Sequence, residues 1–289
     1  MLKNYLRTAI RGIVKSRFYT ILNILGLAIG FAAFIFIFMY VSNEMSYDRY
    51  HEKADRIYRI ESDFNISGKH DRFAIVPVPM GPALKIDFPE VESFCRFNDL
   101  GNSLFKRGDK EFYEEDFYYV DSTVFSMFTH KLIMGDPASC LVEPFSMVIS
   151  EKIAEKYFGE ENPMGQIIES GTGRQYKITG VMEEVPQYSH LWFNGLISAT
   201  TLSNIVGEEQ FNSMEPGRFW NIGVYAYLLI RENADMQSIH DKFGGFYDKY
   251  MKPVGDSFNA SFNLMSTPLI KTHFSGNLGA DLPKGNMAY

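Results

Sequence analysis

No Asp or Glu occurs before Glu44, and residues 20–41 carry no charged side chain of either sign. An apolar run of that length is incompatible with an ordinary soluble N-terminus. At about 1.5 Å per residue, a helix over it spans roughly 33 Å, the thickness of a bilayer's hydrocarbon core. Cysteine is scarce: Cys95 and Cys140 are the two in 289 residues. That excludes a disulfide framework; an oxidising compartment would permit one bridge, but the two are not expected to pair. Basic side chains are in deficit, with a net charge of -7 and a pI near 5.5. No basic face is available for phosphates, so nucleic acid is excluded as a partner.

The signatures of several enzymes are missing as well. There is no G-x-x-x-x-G-K-[ST] loop to cradle nucleotide phosphates and no G-x-S-x-G nucleophile elbow. His51-Glu52 lacks the second His of a zinc-protease helix, so His51 reads as a solvated residue. The six histidines, His51, His70, His130, His190, His240 and His273, are scattered, with no two at metal-ligand spacing and no thiolate pair beside them. Glu114, Glu115 and Asp116 form an acidic run, read as a solvated face, because a calcium loop alternates its oxygen ligands around a Gly turn. Phe125, Phe128, Tyr157, Phe158, Trp192, Phe193 and Trp220 read as core and not as a ligand groove. Together these features point away from an enzyme, a metal and a cofactor.

What is present divides by sign of charge. Lys3, Arg7, Arg11, Lys15 and Arg17 precede the apolar run, and the chain beyond it is acidic overall. Positive flanks stay in the cytoplasm, which places the N-terminus there and exports the rest. The run is longer than the roughly 7–15 residues of a signal peptide's apolar region and has no small-residue cleavage pattern after it, so it reads as an uncleaved anchor. Residues 1–18 are then cytoplasmic, 19–41 the membrane span and 42–289 an exported domain. Residues 2–15 read as an amphipathic helix. Leu2, Leu6, Ala9, Ile10, Ile13 and Val14 share one face, and Lys3, Arg7, Arg11 and Lys15 recur every fourth residue on another, suited to the anionic lipids of the inner leaflet. Within the span, Gly26 and Gly30 form G-x-x-x-G, which lets another helix approach closely in lipid.

Further along, helix is expected to continue over 42–53, followed by a strand over 56–64 and a short helix over 81–87 that opens near Pro82. A hairpin is expected over 103–120, with Gly108 and Asp109 at its turn, and Asp121 as the cap of a helix over 122–128. A strand over 147–149 leads through Ser150 into a helix over 151–158, closed by Gly159. A second hairpin joins 166–169 to 175–182. A strand over 223–231, a helix over 234–250 weakened by Gly244 and Gly245, and a strand over 260–265 complete the pattern. Beyond about 268 the Pro- and Gly-rich sequence reads as a loop or frayed tail. Strands and helices mix without a regular βαβ repeat, so the fold class is α+β, one membrane helix followed by a mixed domain in two subdomains.

Several segments, in this order, resemble the N-terminal part of an FtsX/MacB-type ABC transporter permease, in the form common in Bacteroidetes-like bacteria. They are residues 23–30, 47–59, 79–84 with 88–91, 148–159, 162–165 and 178–181, then Val185-Pro186 and Ser189-His190. The resemblance implies a permease of four membrane helices whose large periplasmic core domain lies between the first two. It also implies a partner ABC ATPase, a second permease copy, and mechanotransmission across the inner membrane. A periplasmic adaptor or substrate protein is a further expected partner. Tyr47, Asp48 and Arg49 would then lie in the joint between span and domain. The sequence stops at residues 285–289, where such permeases enter a second span, so the chain is expected to be the N-terminal piece of one. The alternative reading is a single-pass anchored binding or sensor module with a concave apolar pocket.

Overall fold

The computed structural model describes residues 4, 5, 7, 11, 12, 15–276 and 278–282. It divides into two units, residues 1–46 and 47–289. In the first, helix α1 (Arg17–Glu44) is 28 residues long and has no buried residue. Its most apolar 18-residue window has a mean hydropathy of 2.6, and it is the one candidate span among the described residues. A helix apolar on every side suits lipid and not a water-facing surface. Asn4, Tyr5, Arg7, Arg11, Gly12 and Lys15 are helical. Leu2, Lys3, Leu6, Ala9, Ile10, Ile13 and Val14, on which the expected amphipathic pattern also rests, lie outside the described residues.

The expected continuation of helix to residue 53 does not occur. The amides of Met45 and Ser46 still donate back to the carbonyls of Val41 and Asn43. Three residues beyond Met45, Asp48 takes a left-handed φ of 58°, which a right-handed helix cannot hold.

In the second unit fourteen strands form one sheet. They are β1 (Ile57–Ile66), β2 (Lys69–Phe73), β3 (Val76–Pro77), β4 (Val91–Asp99), β5 (Ser103–Arg107), β6 (Lys110–Glu114), β7 (Phe117–Val120), β8 (Leu132–Met134), β9 (Ser146–Ser150), β10 (Ile167–Ser170), β11 (Gln175–Met182), β12 (Gly195–Ser198), β13 (Ile222–Ile230) and β14 (Ala260–Pro268). The path runs β14-β1-β13-β4-β7-β12-β9-β11-β10-β5-β6, with β2, β3 and β8 pairing to its sides. The β7–β12 and β9–β11 pairs are parallel. Helices α2 (Met80–Asp87), α3 (Val124–Met127), α4 (Glu151–Phe158), α5 (Met236–Tyr250) and α6 (Leu269–Thr272) pack around the sheet.

Period-two alternation explains how β13 serves two cores. Val224, Ala226, Leu228 and Ile230 face a cluster with α2 and α5, whereas Tyr227 and Leu229 face a second cluster with Phe97, Phe128 and Phe193. A third cluster lies at the far end of the sheet, where Ile153, Tyr157 and Phe158 of α4 cover Ile149 and Ile178. Each such buried side chain contributes about 1.5–3 kcal/mol. In α4 the sequence dictates both ends. The Ser150 hydroxyl accepts from the Ile153 amide, and Gly159 supplies the positive φ of 61° that ends the helix.

Three further expectations are corrected. The hairpin over 103–120 stops at Glu114, and residues 117–120 form β7, which joins β4 and β12 instead. Asp121 does not cap α3 with its side chain; its carboxylate accepts from the Arg96 amide, Nε and Nη2 at 2.7–2.9 Å. Among the described residues 269–276 and 278–282 the chain packs on the domain: Leu269 and Thr272 of α6 are buried, and Gly279 forms a bridge with Phe73; residues 277 and 283–289 of the expected tail lie outside the described residues. Cys95 and Cys140 are both buried and free.

Candidate functional site

The domain begins at Tyr47, three residues past the end of α1, and the first turn of chain is locked into the fold. The Tyr47 ring stacks on His273, with centroids 3.5 Å apart and planes 13° from parallel. Asp48 is fully buried. Asp tolerates the left-handed backbone better than most residues because its short side chain can satisfy nearby donors. Its amide donates to the Tyr188 carbonyl at 2.9 Å, and its Oδ1 accepts from the His190 amide at 3.1 Å and the Ser189 hydroxyl at 3.4 Å. His190 Nδ1 lies 2.9 Å from Asp48 Oδ2, and His190 Nε2 lies 2.7 Å from the Tyr227 hydroxyl. Burial holds the Tyr227 phenol well above its ordinary range, so it stays protonated. Asp48, His190 and Tyr227 form a buried polar file from the first turn into the sheet.

Beside it, Tyr50 donates to the Ser189 hydroxyl at 3.1 Å. His51 is buried, which corrects its reading as a solvated residue. Its Nδ1 accepts from the Thr129 amide at 3.0 Å, and its ring meets His130 edge-on at 5.3 Å between centroids. Desolvation lowers the pKa of His51 to about 4 and that of His130 to about 3, so both are neutral at pH 7.

The next inward-facing polar group is Arg59, which sits opposite Tyr227 in the β1–β13 register. Its Nε and Nη2 donate to Glu61 Oε1 at 3.0 and 2.7 Å, and its Nη1 to Asp281 at 2.8 Å.

Of the residues singled out in the sequence, Tyr47 and Asp48 belong to this assembly and Arg49 is exposed on the same turn. Gly26 and Gly30 lie one helical turn apart in α1, with open space where each side chain would be. Arg7, Arg11 and Lys15 are exposed; Lys3 lies outside the described residues. The acidic run also differs from its reading as a solvated face: Glu114 is buried, accepting from Lys156 Nζ at 2.6 Å and the Tyr157 hydroxyl at 2.9 Å. Sequence reading missed His190, Tyr227, Arg59 and Asp281. The one available signal was a charge pair, Arg59 and Glu61, at alternate positions in the first half of β1, where Ile57 and Ile60 are apolar. A cleft of about 580 Å³ is lined by the charged side chains Arg56, Glu90, Glu92, Arg231 and Glu232 together with Pro89, Asn233 and Ala234.

A single apolar helix of spanning length and a sheet-rich α+β domain define a membrane-anchored protein. Residues 20–244 match the family of MacB-like periplasmic core domains, and the chain belongs to that family. Among solved structures, a domain of a protein described as a permease, from Porphyromonas gingivalis, is 21% identical, covers 83% of this chain and 97% of its own, and superposes with a TM-score of 0.65. The periplasmic region of MacB from Actinobacillus actinomycetemcomitans is 16% identical, with 76% and 94% covered and a TM-score of 0.49. The extracellular domain of the ABC-type transporter YknZ from Gram-positive bacteria is 13% identical, with 71% and 99% covered and a TM-score of 0.43. The comparison with curated proteins gives no match.

Proposed function

We propose that this chain supplies the first membrane helix and the periplasmic core domain of an ABC-type permease, which works in export or mechanotransmission while a partner subunit hydrolyses ATP. Family membership supports the class. The observation that carries the mechanical reading is Asp48: the first buried residue after the span is held by the His190 amide and by its own amide's bond to Tyr188, so residues 47–51 act as a turn fixed to the domain and not a free linker. Motion of α1 is then delivered to the sheet. The basic flank supports a cytoplasmic N-terminus at an inner membrane and a periplasmic domain, with Arg7, Arg11 and Lys15 facing lipid headgroups. Gly26 and Gly30 pack against another membrane helix, and the complex contains a second permease copy. The domain works by contact with a periplasmic adaptor or substrate protein and performs no bond chemistry.

Two experiments test this reading. Affinity capture of the full-length gene product from native membranes should bring down an ABC ATPase and a second permease copy; capture of neither would favour a single-pass sensor. A reporter fused after residue 45 should be active only outside the cytoplasm, and cytoplasmic activity alone would refute the orientation.

A further inference from the structure

We propose that residues 269–276 and 278–282 are a strap that fastens the last described segment of the domain to the first turn and first strand, so that these segments form one mechanical body. Three separate contacts carry this. First, His273 stacks on Tyr47, the first residue of the domain. Second, the Gly279 amide donates to the Arg72 carbonyl at 2.8 Å, its carbonyl accepts from the Ala74 amide at 3.0 Å, and the Tyr225 hydroxyl donates to the Ala280 carbonyl at 3.0 Å. Third, Arg59 donates Nη2 to the Ser275 hydroxyl at 3.0 Å and Nη1 to Asp281 at 2.8 Å.

The third contact makes undocking costly. Arg59 is 1% exposed and the Asp281 side chain 8%. Glu61 takes Nε and Nη2, and Asp281 takes Nη1. Glu61 keeps the Arg59 charge balanced, but undocking the strap would leave Nη1 of a buried guanidinium without its acceptor, and an unpaired buried donor is costly. Arg59 is also the cross-strand neighbour of Tyr227, which bonds His190, which in turn holds Asp48. The first turn and the strap therefore meet on a single buried polar file. The use of the strap in transmission rests on the function proposed above; its docking does not.

Hydrogen exchange of the full chain in lipid nanodiscs tests the docking. In the wild type, peptides over 274–282 should exchange as slowly as the first half of β1. Asp281→Ala should speed them at least tenfold while β9–β11 stay unchanged, and Asp281→Asn, which keeps an acceptor for Arg59, should fall between. If Asp281→Ala unfolds the whole domain, Tyr225→Phe decides: removing its hydroxyl should accelerate 274–282 alone. Exchange of this segment at unprotected rates in the wild type, or no local change in the deciding variant, overturns the strap. A strap that is protected as expected, in a complex where ATP leaves its exchange unaltered, would leave docking intact and refute transmission alone.

Discussion

Asp48 combines three demands that few side chains meet: a left-handed backbone, complete burial and a negative charge facing a histidine. Asp48→Ala leaves His190 buried without its carboxylate and should lower stability by about 3 kcal/mol, whereas Asp48→Asn keeps an acceptor for the His190 amide and should cost about 1–2 kcal/mol. Chemical denaturation of the two variants checks the order; equal losses would mean that charge is not what Asp48 supplies. His51 and His130 make a different prediction. Their folded pKa values, about 4 and about 3, lie below the ordinary 6.5, so the folded state binds fewer protons than the unfolded chain between those limits. Their stabilisation is complete above pH 6.5 and is lost as pH falls through that window, by at most about 1.4 kcal/mol per pH unit for each of buried His51 and half-buried His130. His51→Asn, which retains an acceptor for the Thr129 amide, and His130→Phe should each flatten the acid limb of a stability–pH curve. None of these roles could be read from spacing, because the partners are remote: Asp48 and His190 are 142 residues apart, and Arg59 and Asp281 are 222 apart. A buried polar residue looks like a solvated one until its partner is located.

Elements whose signals are local were readable in the sequence. Helix α4 has its cap, its acidic first turn and its terminal Gly within ten residues, and the β10–β11 hairpin has its turn glycines between its strands. By contrast β7 was merged with the preceding hairpin, because its true partners, β4 and β12, come from distant sequence and one pairing is parallel. That parallel pairing explains Gly195, which lies opposite Phe117; a Cβ there would sit 2.1 Å from the Phe117 ring. Gly195→Ala should destabilise the domain by roughly 3 kcal/mol, in the range of severe overpacking, with the loss visible as a lowered thermal midpoint. In α1, Gly26→Leu with Gly30→Leu should leave insertion intact and reduce helix association, read as loss of the second copy in cross-linking in native membranes. Unchanged cross-linking would remove these glycines from the contact.

The layout of the protein follows from charge and hydropathy: an uncharged span with basic residues before it and an acidic domain after it. How span and domain are joined was not readable, since the expected continuous helix is replaced by a buried turn. Strap and turn together tie the first turn and the last described segment of the domain to the same sheet. Spin labels on Arg49, exposed on the first turn of the domain, and Ser261, exposed on β14, test this directly, because the two native cysteines are buried. Pulsed dipolar spectroscopy of the full chain in nanodiscs should give one narrow distance distribution that broadens in Asp48→Ala. A broad distribution in the wild type, or one that Asp48→Ala leaves unchanged, would contradict the fixed joint.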